Sequence, residues 1–171
     1  MTMHPTASLA SAESARVDPQ ATARREIDAP DAITLLMADH HHLHNLFAHF
    51  EHALSGTRRQ SLRDQICREL GVHMQIEEEI LYPAIRPPRD QPLLLAEATV
   101  EHAGIRNLIE QLRQADVEQP ATLAQMKMLS EYVAHHVEEE HSEMFPLVRA
   151  SALDTAALGV RMAARQRELL A

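Results

Sequence analysis

A chain of 171 residues with 45% apolar content can bury one sizeable core, and its formal charge of −9 argues against nucleic acid or an anionic membrane as partner. Its single cysteine, Cys67, excludes an internal disulfide and any thiolate-built zinc or iron–sulfur centre. No apolar run is long enough to span a bilayer, and residues 1–20 lack a cationic start followed by an apolar block, so the expected setting is soluble and cytoplasmic.

Aromatic residues make up only 3% and Trp is absent, so the core has to be aliphatic. Only 4 Gly and long proline-free stretches favour helices over a turn-rich β protein. The unusual count is 12 His, whose meaning depends on where they fall.

Residues 1–30 carry scattered charge without an apolar period and are expected to form a loosely ordered extension. A first helix is predicted from Asp31 to about Leu54, with an inward stripe of Ile33, Leu36, Met37, His40, Leu43, His44, Phe47, Phe50 and Leu54. Ser55-Gly56 should end it, since Gly tolerates a left-handed terminus. Thr57 and Gln60 give a capping-box signal for a second helix. Its stripe is Leu62, Ile66, Leu70, His73, Glu77, Ile80 and Leu81. Pro83, Pro87-Pro88 and Pro92 mark the connection to a third helix starting near Pro92. That helix turns Leu95, Ala98, His102, Ile105, Arg106, Ile109 and Leu112 inward. Pro120 then opens a fourth, with Leu123, Met126, Leu129, Val133, His136, Glu140 and Met144 on its inner face. Ser151 and Asp154 are candidate caps for a shorter helix within residues 151–171. Four long helices with short links predict an all-α fold, an antiparallel up-down-up-down four-helix bundle over 31–150.

Two stretches repeat. His73-x-x-x-Glu77 leads to Leu81-Tyr82-Pro83, and His136-x-x-x-Glu140 leads to Met144-Phe145-Pro146, at an offset of 63 residues (136 − 73). Asp39-His40 matches Glu101-His102 at an offset of 62 (102 − 40), so the bundle reads as two copies of one helix pair. Side chains at i and i+4 share a helix face, so each copy aims an imidazole and a carboxylate in one direction. A lone pair of this kind is ordinarily a surface contact worth about 0.2–0.5 kcal/mol.

Here the pairs sit on stripes that otherwise carry aliphatic residues, and His40 and His102 complete them from the preceding helices. Burying a lone carboxylate costs several kcal/mol, and two close together repel. A bound cation relieves both. Four imidazoles and two carboxylates (His40, His73, Glu77, His102, His136 and Glu140) suit a pair of first-row metals with the carboxylates bridging. Zinc and manganese satisfy the same donors. Glu143 is expected one turn further along the inner face, and His41, His42, His49, His52, His135 and His141 are expected at the surface.

These residues resemble the hemerythrin-like (HHE cation-binding) domain family over residues 31–150, with order and spacing in agreement on all four helices. The resemblance implies a non-haem centre of two iron ions with an oxo or hydroxo bridge. It implies a small oxidant (dioxygen, peroxide or nitric oxide) as ligand, or a non-enzymatic iron- or oxygen-sensing role. Oxygen carriers of that family have a second His on the third helix, where this chain has Arg106. His44, the repeat mate of Arg106, is then either a fifth imidazole ligand or a supporting histidine. Arg106 either steadies a bound ligand or pairs with a carboxylate.

Overall fold

The structure, a computed structural model, describes residues 30–86 and 92–171. The predicted extension over 1–30 and Pro87-Pro88 lie outside that range, apart from Pro30. Helix α1 spans Ala32–Glu51, α2 spans Gly56–Ile76, α3 spans Leu94–Arg113 and α4 spans Pro120–Glu139. Each packs on the next, and α1 also touches α4, which closes an antiparallel four-helix bundle.

Local chemistry sets most ends. The Asp31 carboxylate accepts the backbone N–H groups of Ile33 and Thr34 at 3.1 and 3.2 Å, so α1 begins where expected. It ends at Glu51, and Leu54, predicted on the inward stripe, is 99% exposed in the link beyond it. Met37, also on that stripe, is 41% exposed. Ser55, in extended backbone, caps α2 by accepting the N–H of Arg58 at 3.2 Å. This replaces both the Thr57 capping box and the left-handed Gly56: Ser55 is a competent cap two residues earlier, and Gly56 becomes the first residue of α2. α3 starts two residues after Pro92, which sits in the preceding turn. Its far end is closed by a buried guanidinium, as Arg63 donates to the carbonyls of Leu112 and Ala115 at 2.8 and 2.6 Å.

Both repeated motifs leave the α-helical register. A π-helical turn covers Glu77–Leu81 after α2, closed by the Tyr82 N–H on the Glu77 carbonyl. A second covers Glu140–Met144 after α4, closed by the Phe145 N–H on the Glu140 carbonyl. In each case the next residue is proline, which has no N–H to continue the ladder. The helix nevertheless runs on past Pro146 as α5, Phe145–Ala150, with the proline in its first turn.

The last helix, α6, spans Thr155–Leu170 and is capped by the Asp154 carboxylate on the Ala157 N–H at 2.9 Å. It lies across α1 and α2, burying Leu158 and Met162 against Leu35, Leu36, Ile76 and Ile80. Gly159 makes this possible, because a Cβ there would stand 2.1 Å from the Pro30 carbonyl oxygen. Two aliphatic clusters fill the bundle, one around Ile33, Leu36, Leu81 and Met144, the other around Leu43, Ile66, Ile105 and Leu129. Every long helix passes from one to the other through a histidine.

Candidate metal centre

That mid-bundle layer holds His40 from α1, His73 and Glu77 from α2 and its π turn, His102 from α3, and His136 and Glu140 from α4 and its π turn. All six are buried, Glu77 and His102 to 0% exposure. Donor atoms of His40, His73, Glu77 and Glu140 form one compact group, and those of Glu77, His102 and His136 form a second, so Glu77 belongs to both.

The imidazoles face each other in pairs, Nε2 to Nε2, with His40–His73 and His102–His136 both at 3.0 Å. Each carboxylate reaches across both pairs. Glu77 places Oε1 3.3 Å from His73 and Oε2 3.4 Å from His102. Glu140 places Oε2 3.2 Å from His40 and Oε1 3.7 Å from His136.

The outer ring nitrogens are held from behind, and the holders obey the repeat. Asp39 Oδ2 lies 3.4 Å from His73 Nδ1, and its mate Glu101 places Oε2 2.8 Å from His136 Nδ1. Glu78 Oε1 lies 2.9 Å from His102 Nδ1, and its mate His141 brings Nε2 to 3.0 Å from His40 Nδ1. A carboxylate beside Nδ1 keeps the proton there and leaves the Nε2 lone pair directed inward. The 3.0 Å contact between His102 and His136 is therefore two lone pairs face to face, which is unfavourable without a cation.

The carboxylates repeat that demand. Among the described residues, both oxygens of Glu77 and Oε2 of Glu140 are buried without a hydrogen-bond partner. Burial, then the nearby Glu140 charge, pushes the Glu77 carboxyl well above the usual range. Burial acts on Glu140 in the same sense, but the His40 contact and the nearby His136 ring outweigh it and hold that carboxyl low. Burial depresses His40 and His102 to about 4, so both are neutral donors at ordinary pH. Two carboxylates, four imidazoles and three orphaned oxygens fit a pair of divalent or trivalent metal ions.

Two side chains expected on the inner face lie off it. His44 is exposed and stands outside both groups, lining with Phe47 and Ser130 a groove of ≈ 390 Å³ between α1 and α4 that reaches His40. Leu43 takes the core position in its place, because α1 turns that neighbour inward instead. Glu143 is also exposed. The i→i+5 turn advances each residue by less than the α-helical angle of about 100°, so the third residue after Glu140 falls off the inner face and the fourth, Met144, takes it.

Arg106 pairs with a carboxylate, donating to Glu78 Oε2 at 2.6 Å, and so backs His102 at one remove. Tyr82 was not singled out for the site, yet its buried hydroxyl donates to Glu140 Oε1 at 3.4 Å and lies 3.3 Å from His102 Nε2. Burial, with the Glu77 and Glu140 charges, pushes its pKa well above the usual phenol range, so the phenol keeps its proton. Its mate Phe145 stacks on His40 with ring centroids 5.9 Å apart. The Asp-His and Glu-His dipeptides and the aromatic-Pro ending were the sequence signals for these supports.

Comparison with known proteins agrees with the geometry. Residues 31–148 match the family described as Hemerythrin HHE cation binding domain. A crystal structure of a Hemerythrin HHE cation binding domain-containing protein from Mycobacterium kansasii, an Rv2633c homolog, superposes with a TM-score of 0.69 at 25% identity, over 82% of this chain and 87% of that one. A DNA nickase from Nostoc sp. (strain PCC 7120 / SAG 25.82 / UTEX 2576) is 25% identical over 130 residues, 76% of this chain but only 36% of the nickase. The chain thus spans about a third of that relative's length.

Proposed function

Since the chain belongs to the hemerythrin HHE cation-binding domain family, we propose that it holds two iron ions and binds or reacts with a small oxidant: dioxygen, peroxide or nitric oxide. The carrying observation is that two buried carboxylates with three orphaned oxygens each span two inward-facing histidine pairs. In this reading His40, His73, His102 and His136 would be the imidazole ligands and Glu77 and Glu140 the carboxylate ligands. Iron so held would supply redox chemistry.

The chain's own residues set the conditions for that chemistry. Asp39, Glu78 and Glu101 fix the tautomer of His73, His102 and His136, and His141 orients His40. Tyr82 offers a hydroxyl proton toward the space between His102 and Glu140, where it can hydrogen-bond an oxygen-bearing guest. Phe145, Leu81 and Met144 keep bulk water from the centre. The groove between α1 and α4 gives a diatomic guest or peroxide an approach past His44 to His40.

Metal analysis with an absorption spectrum of aerobically purified protein tests this. Two irons per chain with a charge-transfer band of a bridged ferric pair support the proposal. A colourless protein with one zinc overturns it. The orphaned oxygens favour one further reading, a non-enzymatic iron- or oxygen-sensing module whose fold depends on loading. Turnover of peroxide or nitric oxide by the loaded protein favours the first; loss of fold on chelation without turnover favours the second. No helix among the described residues is long and apolar enough to cross a membrane.

A further inference from the structure

The repeat allows one side of the centre to be compared with the other, and the two sides differ sharply. Between α1 and α2 the approach to His73 and Glu77 is sealed by Leu35, Ile76 and Ile80, all at or below 8% exposure, under α6. A cation stands over that seal, since Arg165 donates to Glu79 at 2.7 Å. The mates of those three aliphatic residues between α3 and α4 are Glu97 (35 + 62), Glu139 (76 + 63) and Glu143 (80 + 63). No helix among the described residues covers this side, where Glu97 and Glu143 are exposed and Glu139 half-buried.

These carboxylates surround a small cavity of ≈ 30 Å³, room for about one water or a bare ion, whose inner wall is His136 and Glu140. The Glu140 carboxylate is 1% exposed and His136 is 3% exposed, so two buried residues of the centre stand at the inner end of an acidic mouth. At the outer end His135 Nε2 lies 3.2 Å from Glu139 Oε1 and 3.8 Å from Glu101 Oε1, donors that could grip a metal ion together. Glu101 links the two ends, because its other oxygen holds His136 Nδ1 at 2.8 Å.

We propose that this mouth is the route by which divalent cations enter the buried centre, with Glu101, His135 and Glu139 as a transient holding site and Glu97 and Glu143 as its collecting charges. The inference rests on the six inner residues being a metal centre. Three aliphatic positions have become carboxylates on a side that no helix among the described residues covers, while the equivalent side is closed and topped by an arginine. A solvated helix face would account for exposed acids, but not for a cavity that connects them to a buried histidine and carboxylate of the centre.

The test follows ferrous iron anaerobically into the full chain, in the wild type and in the triple variant Glu97→Gln, Glu139→Gln, Glu143→Gln. None of the three belongs to either inner donor group, so final metal content should match the wild type. Uptake should slow by about tenfold, and its acceleration at low salt should disappear. Exchange of isotope-labelled ferrous iron into already loaded protein should slow equally, and this reads the route even if the metal-free variant does not hold its fold. Equal rates in wild type and variant, in uptake or exchange, overturn the route while leaving the centre standing. A wild type that takes up no metal overturns both.

Discussion

Replacing Glu77 by leucine should have opposite effects on the metal-free and metal-loaded protein. The side chain is 0% exposed and neither oxygen finds a hydrogen bond among the described residues. A buried unsatisfied polar group costs about 1–3 kcal/mol, and replacing buried ionic groups with apolar ones of similar size is often neutral or stabilising by about 1–4 kcal/mol. The metal-free Glu77→Leu protein should therefore gain about 2–3 kcal/mol. For a chain of this size that raises Tm by roughly 5–10 °C. With metal the order reverses, because Glu77 is the one side chain shared by both donor groups. A ligand at a hundredfold its Kd adds about 2.7 kcal/mol to the wild type, and the variant forgoes much of that. The assay is thermal unfolding followed by circular dichroism, in chelator and then in anaerobic ferrous iron, with Glu77→Gln as the polar control. A metal-free Glu77→Leu protein that melts below the wild type refutes the reasoning, since it would mean that the protein alone satisfies this carboxylate.

Four further outcomes follow from the same geometry. Glu78→Ala removes the partner of His102 Nδ1 and should weaken metal binding about ten- to hundredfold in chelator competition, while Arg106→Ala, whose pair is partly exposed, should do so less. His44→Ala should leave metal content and absorption spectrum unchanged, and an altered spectrum would restore that residue to the site. Gly159→Ala should lower Tm by several degrees, because the added methyl meets the backbone of residues 30–32 and α6 must shift outward; an unchanged melt would show that the contact yields freely. For pH, burial places His40 and His102 at about 4 in the metal-free fold against about 6.5 in the unfolded chain. Their contribution is complete above 6.5 and is lost as pH falls from there through 4, because only the unfolded chain takes up those protons. Urea unfolding of metal-free protein should show that decline in the Glu77→Leu background, where the opposing titration of a raised carboxyl is gone. A flat profile between pH 7 and 4 counts against it.

The centre was legible because a metal site in a bundle imposes two independent periodicities. His73 and Glu77 had to lie four apart to share a face, and each had to coincide with the aliphatic stripe that faces the core. The repeat then tied His40 and His102 to them. What escaped was whatever depends on a change of helical pitch. An α-helical wheel places Glu143 inward, and only the π turn that begins at Glu140 moves it out while Met144 keeps its inward place. His44 failed for a related reason: on a wide apolar stripe the residue after Leu43 is a boundary position, and a polar side chain there can turn to solvent at little cost. The caps shifted because Ser55 and Thr57 are chemically equivalent hydroxyls, and the choice between them lies in where α1 stops. Nothing in α6 itself announced its partner, since Leu158 and Met162 fit any aliphatic face and Gly159 shows its use only beside Pro30.

Departures from the internal repeat separate what the centre requires from what this chain adds. Histidine and glutamate recur at all six inner positions, and an acidic residue recurs at Asp39 and Glu101, so inward lone pairs and fixed tautomers are needed on both halves. The halves part company at Tyr82 against Phe145, Glu78 against His141, and Arg106 against His44. The His102 side thereby has a hydroxyl donor at its nitrogen and a carboxylate–guanidinium pair behind it, whereas the His40 side has an aromatic ring, a histidine in place of that carboxylate and the open groove. A carboxylate behind an imidazole makes it the stronger electron donor. On the proposed reading the two halves would hold their ions inequivalently: the His40 half would be the more open to an approaching guest, and the His102 half would be backed by a carboxylate. A Tyr82→Phe variant, which makes the two ends alike in this respect, should change how a bound oxidant is held without changing how much metal is bound.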